Sequence, residues 1–203
     1  MTLLQWAAQG HGWEVWACWR PRIGYNVGGD LCYAYTAEDK LLVALVDVLG
    51  HGEEAYRSAA KLYQVLENRC GELLTVYSDI EREAARIRGC ALFLGALSAS
   101  ALTYIMVGNI RGWVLETPNR IQGILGQAGV VGGRKLIPVV RKLNIGYSSV
   151  VIVCSDGIKR SFVPGGADRS WRRVAIDHLA ASIMEGYGVP EDDASVLIGR
   201  RCG

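Results

Sequence analysis

The chain has 203 residues, of which 50% are apolar and 21% are charged. This length and composition are those of a globular protein with a substantial core, and we expect one domain over residues 1–203. The net charge of +2 is the difference between 22 basic and 20 acidic residues. No long basic run occurs, so nucleic acid is excluded as an expected partner.

The sequence also argues against export and membrane insertion. Residues 1–12 lack the basic start and the apolar core of a signal peptide. The longest apolar stretch, residues 41–46, is too short to span a bilayer. We therefore expect a soluble, cytoplasmic protein with no membrane partner.

Six cysteines are spread along the chain without a C-x-x-C pair: Cys18, Cys32, Cys70, Cys90, Cys154 and Cys202. Several of them lie inside apolar runs, where a reduced cysteine behaves as a small hydrophobic residue. We expect neither a disulfide framework nor a zinc site.

The first half of the chain contains runs typical of strands, followed by two amphipathic helices. Strands are predicted at residues 3–8, 13–19, 31–36 and 41–46. The first helix is predicted from apolar residues at helical spacing: Ala55, Ala59, Leu62 and Leu66. The second carries Leu73, Tyr77, Ile80, Ala84 and Ile87 on one face and is expected to end at Gly89.

The second half is mostly strand-like. Strands are predicted near residues 90–97, 102–107, 112–116, 121–124, 136–143 and 149–154, with a last strand at residues 194–198. Before that strand, one helix face is predicted from Trp171, Val174, Ala175, His178, Leu179 and Ile183, with His178 packed in the core. This order differs from steady βαβ alternation. It predicts an α+β fold in which two antiparallel sheets pack together and helices cover them on the outside.

Aspartates fall where these strands begin or end. Asp47 follows one apolar strand and Asp156 follows another, whereas Asp30 and the pair Asp192 and Asp193 directly precede strands. Each Asp-Gly pair taken alone is typical of a turn. Several carboxylates at one end of a sandwich would repel each other unless a cation neutralised them. Carboxylate and carbonyl oxygens are hard ligands that suit Mg²⁺ or Mn²⁺.

The order of these motifs resembles the metal-dependent protein phosphatases of type 2C, in their bacterial branch. That branch shows Gly-Asp, then Asp-Gly-x-Gly-His-Gly, then Ser-Asp-Gly, then Asp-Asp-x-Thr. The corresponding segments here are residues 29–30, 47–52, 155–157 and 192–195. The resemblance extends from about residue 26 to residue 198.

The resemblance implies a β-sandwich with two Mn²⁺ or Mg²⁺ ions as cofactors. Asp47 would bridge the ions and the backbone carbonyl of Val48 would complete one of them. Asp156 and Asp192 would hold the other ion, with Asp193 as the alternative to Asp192. Asp30 would contact a metal directly or through water. Asp47 and Asp156 are the expected catalytic positions.

The sequence departs from the family pattern at several places. Val48 stands where glycine is usual, and Ser195 replaces a threonine but keeps the hydroxyl. Tyr25 stands five residues before Asp30, and no phosphate-binding arginine of the animal enzymes can be assigned, although Arg22 is near. His51 is expected to open the first helix instead of acting as a general acid.

The implied reaction is hydrolysis of phosphoserine or phosphothreonine by a metal-activated water. The bare catalytic core, without a sensor domain, is similar to the stand-alone stressosome phosphatases of this family. Its partners would then be phosphorylated STAS-domain stressosome proteins, and its role feedback in a stress response. Two alternatives are a catalytically weak or inactive binding module on the same fold and a phosphoesterase acting on a small molecule.

Overall fold

A computed structural model describes residues 3–68, 71–116, 120–165 and 174–202. Within these ranges the strands are β1 (Leu4–Gly10), β2 (Trp13–Arg20), β3 (Asp30–Thr36), β4 (Leu41–Val48), β5 (Cys90–Leu97), β6 (Ala101–Val107), β7 (Arg111–Glu116), β8 (Arg120–Ile124), β9 (Arg141–Asn144), β10 (Val150–Cys154) and β11 (Ala194–Arg201). The helices are α1 (Gly52–Glu67), α2 (Leu73–Ala84) and α3 (Ile176–Tyr187).

The strands form two antiparallel sheets. One has the order β1-β2-β11-β10-β7-β8 and the other has the order β3-β4-β5-β6-β9. Helices α1 and α2 pack on the five-stranded sheet, and α3 packs on the six-stranded sheet. This confirms the predicted α+β class with two sheets inside and helices outside.

The sheets pack against each other through a core contributed by both inner faces. In β4, Leu41, Val43 and Leu45 face this inter-sheet core, whereas Leu42 and Ala44 face α1 and α2. Both faces of β4 are therefore buried. That explains why its sequence is continuously apolar instead of alternating with polar residues.

The helices bury the predicted apolar stripes except at His178 and at Ala175, which is exposed and precedes α3 as its N-cap residue. Ala55 and Leu66 lie on the buried face of α1. In α3 the buried residues include Ile176, Leu179 and Ile183, but the side chain of His178 is 78% exposed. The prediction that His178 packs in the core was wrong, because the helix begins at Ile176 and this register turns residue 178 to the solvent side. Trp171 lies outside the described residues.

The predicted strand at residues 136–143 was also wrong, because only β9, beginning at Arg141, forms there. Pro138 cannot donate to a ladder, and the side chain of Gln127 takes the place of a partner strand. Its Nε2 donates to the Ile137 carbonyl (3.1 Å) and its Oε1 accepts from the Val139 amide (2.6 Å). Helix α2 ends at Ala84, five residues before the predicted stop at Gly89.

The described cysteines are all reduced, as predicted. Cys18, Cys32, Cys90 and Cys154 are buried, and Cys202 is exposed. Cys70 lies outside the described residues. None of the helices in the described ranges has the length and apolar character needed to cross a bilayer.

Replacement of Phe93 tests the inter-sheet core. Phe93 lies fully buried in this core, with its ring centroid 6.2 Å from that of Tyr104. We expect Phe93→Ala to lower the free energy of unfolding by about 3–5 kcal/mol, because it leaves a cavity between rigid sheets. Urea denaturation measures this. The matched control is Ile137→Ala, at a side chain that is 82% exposed, which should change stability by less than about 0.5 kcal/mol. Equal losses for both variants would contradict the described core.

Candidate metal centre

The acidic residues of the five-stranded sheet lie at the end of the inter-sheet core. Asp30 and Asp47 are directly paired across β3 and β4. Side chains alternate along a strand, so Asp30 continues the inward row of Cys32, and Asp47 continues that of Leu45. The same alternation that builds the core therefore brings the two carboxyl groups together where the core ends.

Two serines of the six-stranded sheet connect it by hydrogen bonds to Asp30 of this aspartate pair. The hydroxyl of Ser155 donates a hydrogen bond to Asp30 Oδ2 (2.8 Å) and accepts one from the Ser195 amide (3.0 Å). The Ser155 amide in turn donates to the Ser195 carbonyl (3.1 Å). Both serines are fully buried. Ser155 thus joins the two sheets at the acidic cluster.

Asp156 comes from the six-stranded sheet and lies next to Asp47. Beyond the effect of burial, the two carboxyl groups are close enough for the charge of Asp156 to raise the pKa of Asp47, although Asp156 follows β10 and Asp47 is the second-last residue of β4. Asp156 is exposed and Asp47 is half-buried. Asn109, in the turn between β6 and β7, donates from Nδ2 to Asp156 Oδ2 (2.6 Å). The carboxyl pair is therefore accessible from one side and is oriented by an amide.

Asp192 and Asp193 have different environments. Both oxygens of buried Asp193 accept backbone hydrogen bonds, Oδ1 from the Arg22 amide (2.7 Å) and Oδ2 from the Gly29 amide (2.6 Å). Asp192 is half-buried, and its Oδ1 accepts from the amide of Asp193 (3.0 Å). After burial, the charge of Asp156 is the next largest cause that raises the pKa of Asp192. Asp192 therefore lies near the other carboxyl groups. Asp193 instead anchors the loop before β3 through its two hydrogen bonds.

Asp193 approaches two positions so closely that only glycine fits there: Gly157 of the Ser-Asp-Gly motif and Gly28, which directly precedes the Gly-Asp motif. A Cβ at Gly157 would lie 1.8 Å from the Asp193 carbonyl oxygen. A Cβ at Gly28 would lie 2.5 Å from Asp193 Oδ1. Both contacts are far shorter than atoms tolerate, so a side chain at either position would displace Asp193.

The cluster is electrostatically unfavourable by itself. Burial raises the pKa of Asp47 to about 10, and the negative charges of Asp30 and Asp156 act in the same direction. Burial also raises the pKa of Asp30 to about 7, against the hydrogen bond from Ser155. The pKa of Asp192 is raised by burial and then by Asp156. Crowded carboxyl groups of this kind bind protons or a cation.

The donor set fits a hard divalent cation. In the described part of the chain no group of three or more His, Cys, Asp or Glu side chains is arranged to enclose an ion on its own. The Asp47–Asp156 pair supplies carboxylate oxygens. Mg²⁺ in particular usually keeps several waters and takes few protein carboxylates. A site completed by a backbone carbonyl and water is consistent with that preference.

Val48 is compatible with this position even though glycine is usual there. It is the last residue of β4, and its side chain is buried among the residues that face α1 and α2. The strand conformation needs no glycine, and the side chain points away from the carboxyl groups.

Tyr25, His51 and Arg22 lie beside the cluster. His51 is the N-cap residue of α1, as predicted, although its side chain makes no capping hydrogen bond. The Tyr25 ring packs edge-on against His51, with centroids 5.0 Å apart, and the Arg22 guanidinium lies 5.5 Å from the Tyr25 ring centroid. The Arg22 backbone amide donates to Asp193 Oδ1 (2.7 Å), so Arg22 lies near the acidic residues.

Sequence reasoning missed two residues that shape the site. Arg20 is buried and donates to the carbonyls of Asp192 (3.0 Å), Val189 (2.8 Å) and Pro21 (3.0 Å). It therefore fixes the loop that carries Asp192. Asn109 follows a glycine in a turn and looked like an ordinary loop residue. Neither residue carries a local sequence signal, because the partners that matter for the site (Asp192 and Val189 for Arg20, Asp156 for Asn109) are distant in the chain.

Comparison with known proteins identifies the fold. No protein-family model and no curated protein matches the sequence. Among solved structures, the fold is that of the PP2C-type phosphatases. A chain from work on the bacterial stressosome, described there as a modular system adapted to control secondary messenger signalling, is 26% identical with a TM-score of 0.82. That match covers 93% of this chain and 99% of the other.

Two further structures extend the comparison. RsbX in complex with magnesium is 18% identical with a TM-score of 0.81, and the match covers 97% of this chain and 99% of that one. The serine/threonine phosphatase PstP/Ppp of Mycobacterium tuberculosis is 14% identical with a TM-score of 0.70, over 94% of this chain and 99% of that one. The chain thus has the fold of a bacterial PP2C-type phosphatase and resembles RsbX.

The two C-terminal aspartates should differ in their effect on stability. Asp193→Asn leaves one of the two buried backbone amides without an acceptor, so we expect it to lower the free energy of unfolding by about 2 kcal/mol or more. Asp192→Asn keeps an acceptor for the Asp193 amide and relieves repulsion, so we expect no loss. Urea denaturation in EDTA compares them. A larger loss for Asp192→Asn would contradict the roles described.

Proposed function

We propose that this chain is a cytoplasmic, metal-dependent protein phosphatase that hydrolyses phosphoserine or phosphothreonine. The observation that carries the proposal is the pairing of Asp47 with Asp156 at the end of the inter-sheet core. The two carboxyl groups come from different sheets, and Asp30 and Asp192 lie beside them. The PP2C-type fold supports the same class of reaction.

In this proposal Asp47, Asp156 and Asp192 would hold Mn²⁺ or Mg²⁺, the Val48 carbonyl would complete the coordination, and Asp30 would act directly or through water. When bound, two such ions supply an activated water and neutralise charge on the phosphoryl group. The magnesium complex of RsbX supports this choice of cofactor for a similar fold. Asp193 belongs to the framework of the site, because both its oxygens accept backbone hydrogen bonds.

The protein's own residues contribute rigidity and orientation. Ser155 holds Asp30 in place through a buried hydrogen bond. Asn109 fixes the orientation of exposed Asp156, and buried Arg20 fixes the loop that carries Asp192. Because these groups are anchored on strands and by hydrogen bonds, little reorganisation is required when a phosphate monoester binds.

The proposed substrates are phosphorylated STAS-domain proteins of a stressosome, and the proposed role is feedback control of a stress response. The likeness to a chain from stressosome work, at 26% identity, and to RsbX supports this assignment. The alternative of an inactive binding module is suggested by Val48, by Tyr25 and by the lack of an assignable phosphate-binding arginine. The first of these reasons is weakened because Val48 fits into β4 with its side chain buried away from the carboxyl groups.

Hydrolysis of p-nitrophenyl phosphate and of a phosphorylated STAS protein, with and without Mn²⁺, tests the proposal. We expect Mn²⁺-dependent phosphate release that falls by about 10³-fold or more in Asp47→Asn, since that change removes a carboxylate ligand. The control is Asp177→Asn, on α3 and away from the site, which should keep wild-type kcat/KM. Metal-independent release, or full activity in Asp47→Asn, would exclude the mechanism. Preference for a small phosphate ester over every phosphoprotein would favour the small-molecule alternative.

Asn109 should act by orienting Asp156. We expect Asn109→Ala to lower kcat/KM or Mn²⁺ affinity by about 10–100-fold, the usual effect of removing a partner that orients a metal ligand. Asn144→Ala, at an exposed residue of β9, is the control and should have no effect. Steady-state kinetics across a Mn²⁺ series separates the two parameters. If Asn109→Ala keeps the wild-type kcat/KM and Mn²⁺ affinity, Asn109 does not orient Asp156 for function.

A further inference from the structure

A cavity of about 450 Å³ lies directly beside the acidic cluster. We call it the α1 groove. One wall is formed by the side chains of Tyr56, Ala60 and Tyr63 on α1, and the other includes Leu4, Trp19 and Val27. Gly28 and Asp30 also line it. The groove is therefore continuous with the candidate metal centre through the loop and strand that carry Asp30.

The α1 wall is mostly apolar, although Gln64 and Glu67 also line it, and its two tyrosines do not belong to the core. Helix α1 buries one stripe that includes Ala59 and Leu62. Tyr56 and Tyr63, two helical turns apart on the neighbouring stripe, are 46% and 41% exposed. The Tyr63 ring packs edge-on against Tyr33, with centroids 5.7 Å apart, which holds this wall in place. Exposed apolar residues that are grouped in this way, instead of scattered, mark a binding surface.

We propose that the α1 groove binds an extended, apolar segment of the substrate polypeptide next to the phosphorylated side chain. The inference rests on the proposed phosphatase function. A small phosphate ester would occupy only the acidic cluster. The groove follows α1 from Tyr56 to Glu67, about 16 Å at the helical rise. That length matches about five residues of extended chain.

Continuity with the metal centre decides between a substrate and a second copy of this chain. A substrate segment in the groove leads the phosphorylated residue towards Asp30. Binding of a second copy would make no use of the position of the groove beside Asp30, and self-association is therefore the alternative outcome of the test. Apolar side chains in alternating positions of the segment would contact the tyrosine wall, as in other recognition of extended peptides.

Peptide binding tests the proposal without depending on catalysis. Two labelled phosphothreonine peptides are compared by fluorescence anisotropy in EDTA. One carries leucine and valine at alternating positions within about five residues of the phosphothreonine, and the other carries serine at those positions. We expect the apolar peptide to bind wild-type protein at least about tenfold more tightly, because it buries aliphatic side chains. Equal affinities would overturn the proposal.

Ala60→Arg places a long side chain in the groove at an exposed helical position where arginine is well tolerated. We expect this variant, and separately Tyr56→Ser, to remove the preference for the apolar peptide. The matched control is Ser182→Arg, which adds the same charge at an exposed position of α3 and should keep the preference. Circular dichroism confirms that each variant is folded. A preference that survives in both groove variants would overturn the proposal.

Two further readouts separate this inference from the proposed function. Sedimentation that shows a wild-type dimer lost in Ala60→Arg would assign the groove to self-association and contradict substrate binding. Absence of p-nitrophenyl phosphate hydrolysis by wild-type protein would refute the phosphatase activity. Groove-dependent peptide preference in that case would still establish a peptide-binding surface.

Discussion

The structure depends on one constraint, which is that carboxyl groups are crowded at the end of a dry core. Burial and mutual repulsion raise the pKa of Asp47 to about 10, and burial raises that of Asp30 to about 7. A fold does not gain stability from such a cluster by itself, because charges removed from water must be neutralised. A bound divalent cation would remove the repulsion, so the least favourable part of the structure is also the part suited to function.

The alternation of side chains along the strands, which builds the inter-sheet core, also places the polar residues of the site. Inward rows of apolar residues on β3, β4, β10 and β11 end in Asp30, Asp47, Ser155 and Ser195. Around these rows, backbone groups are linked by buried side chains, of which Arg20 is the most connected. The α1 groove begins at the same place. The position of the acidic residues, the anchoring of the loops and the location of the α1 groove therefore all depend on how the two sheets end.

Much of this could be predicted from the sequence, because strand runs and the aspartates at their ends are local features. The sandwich, the clustering of the acidic residues and the N-cap position of His51 needed only periodicity and motif order. The contacts of Arg20 with Asp192 and of Arg22 with Asp193 join residues 172 and 171 positions apart, and no local pattern encodes them. The errors at His178 and at residues 136–140 have a related cause. Helix register and ladder pairing are decided by the partner surface, not by the segment itself.

Calorimetric titration of the metal-free protein with Mn²⁺ tests directly whether the Asp47–Asp156 pair and its neighbours form a cation site. If they do, the wild type and Asp177→Asn should bind Mn²⁺ saturably, and Asp47→Asn should lose this binding or show it strongly weakened. Absence of binding by the wild type, or equal affinity in Asp47→Asn, would contradict it.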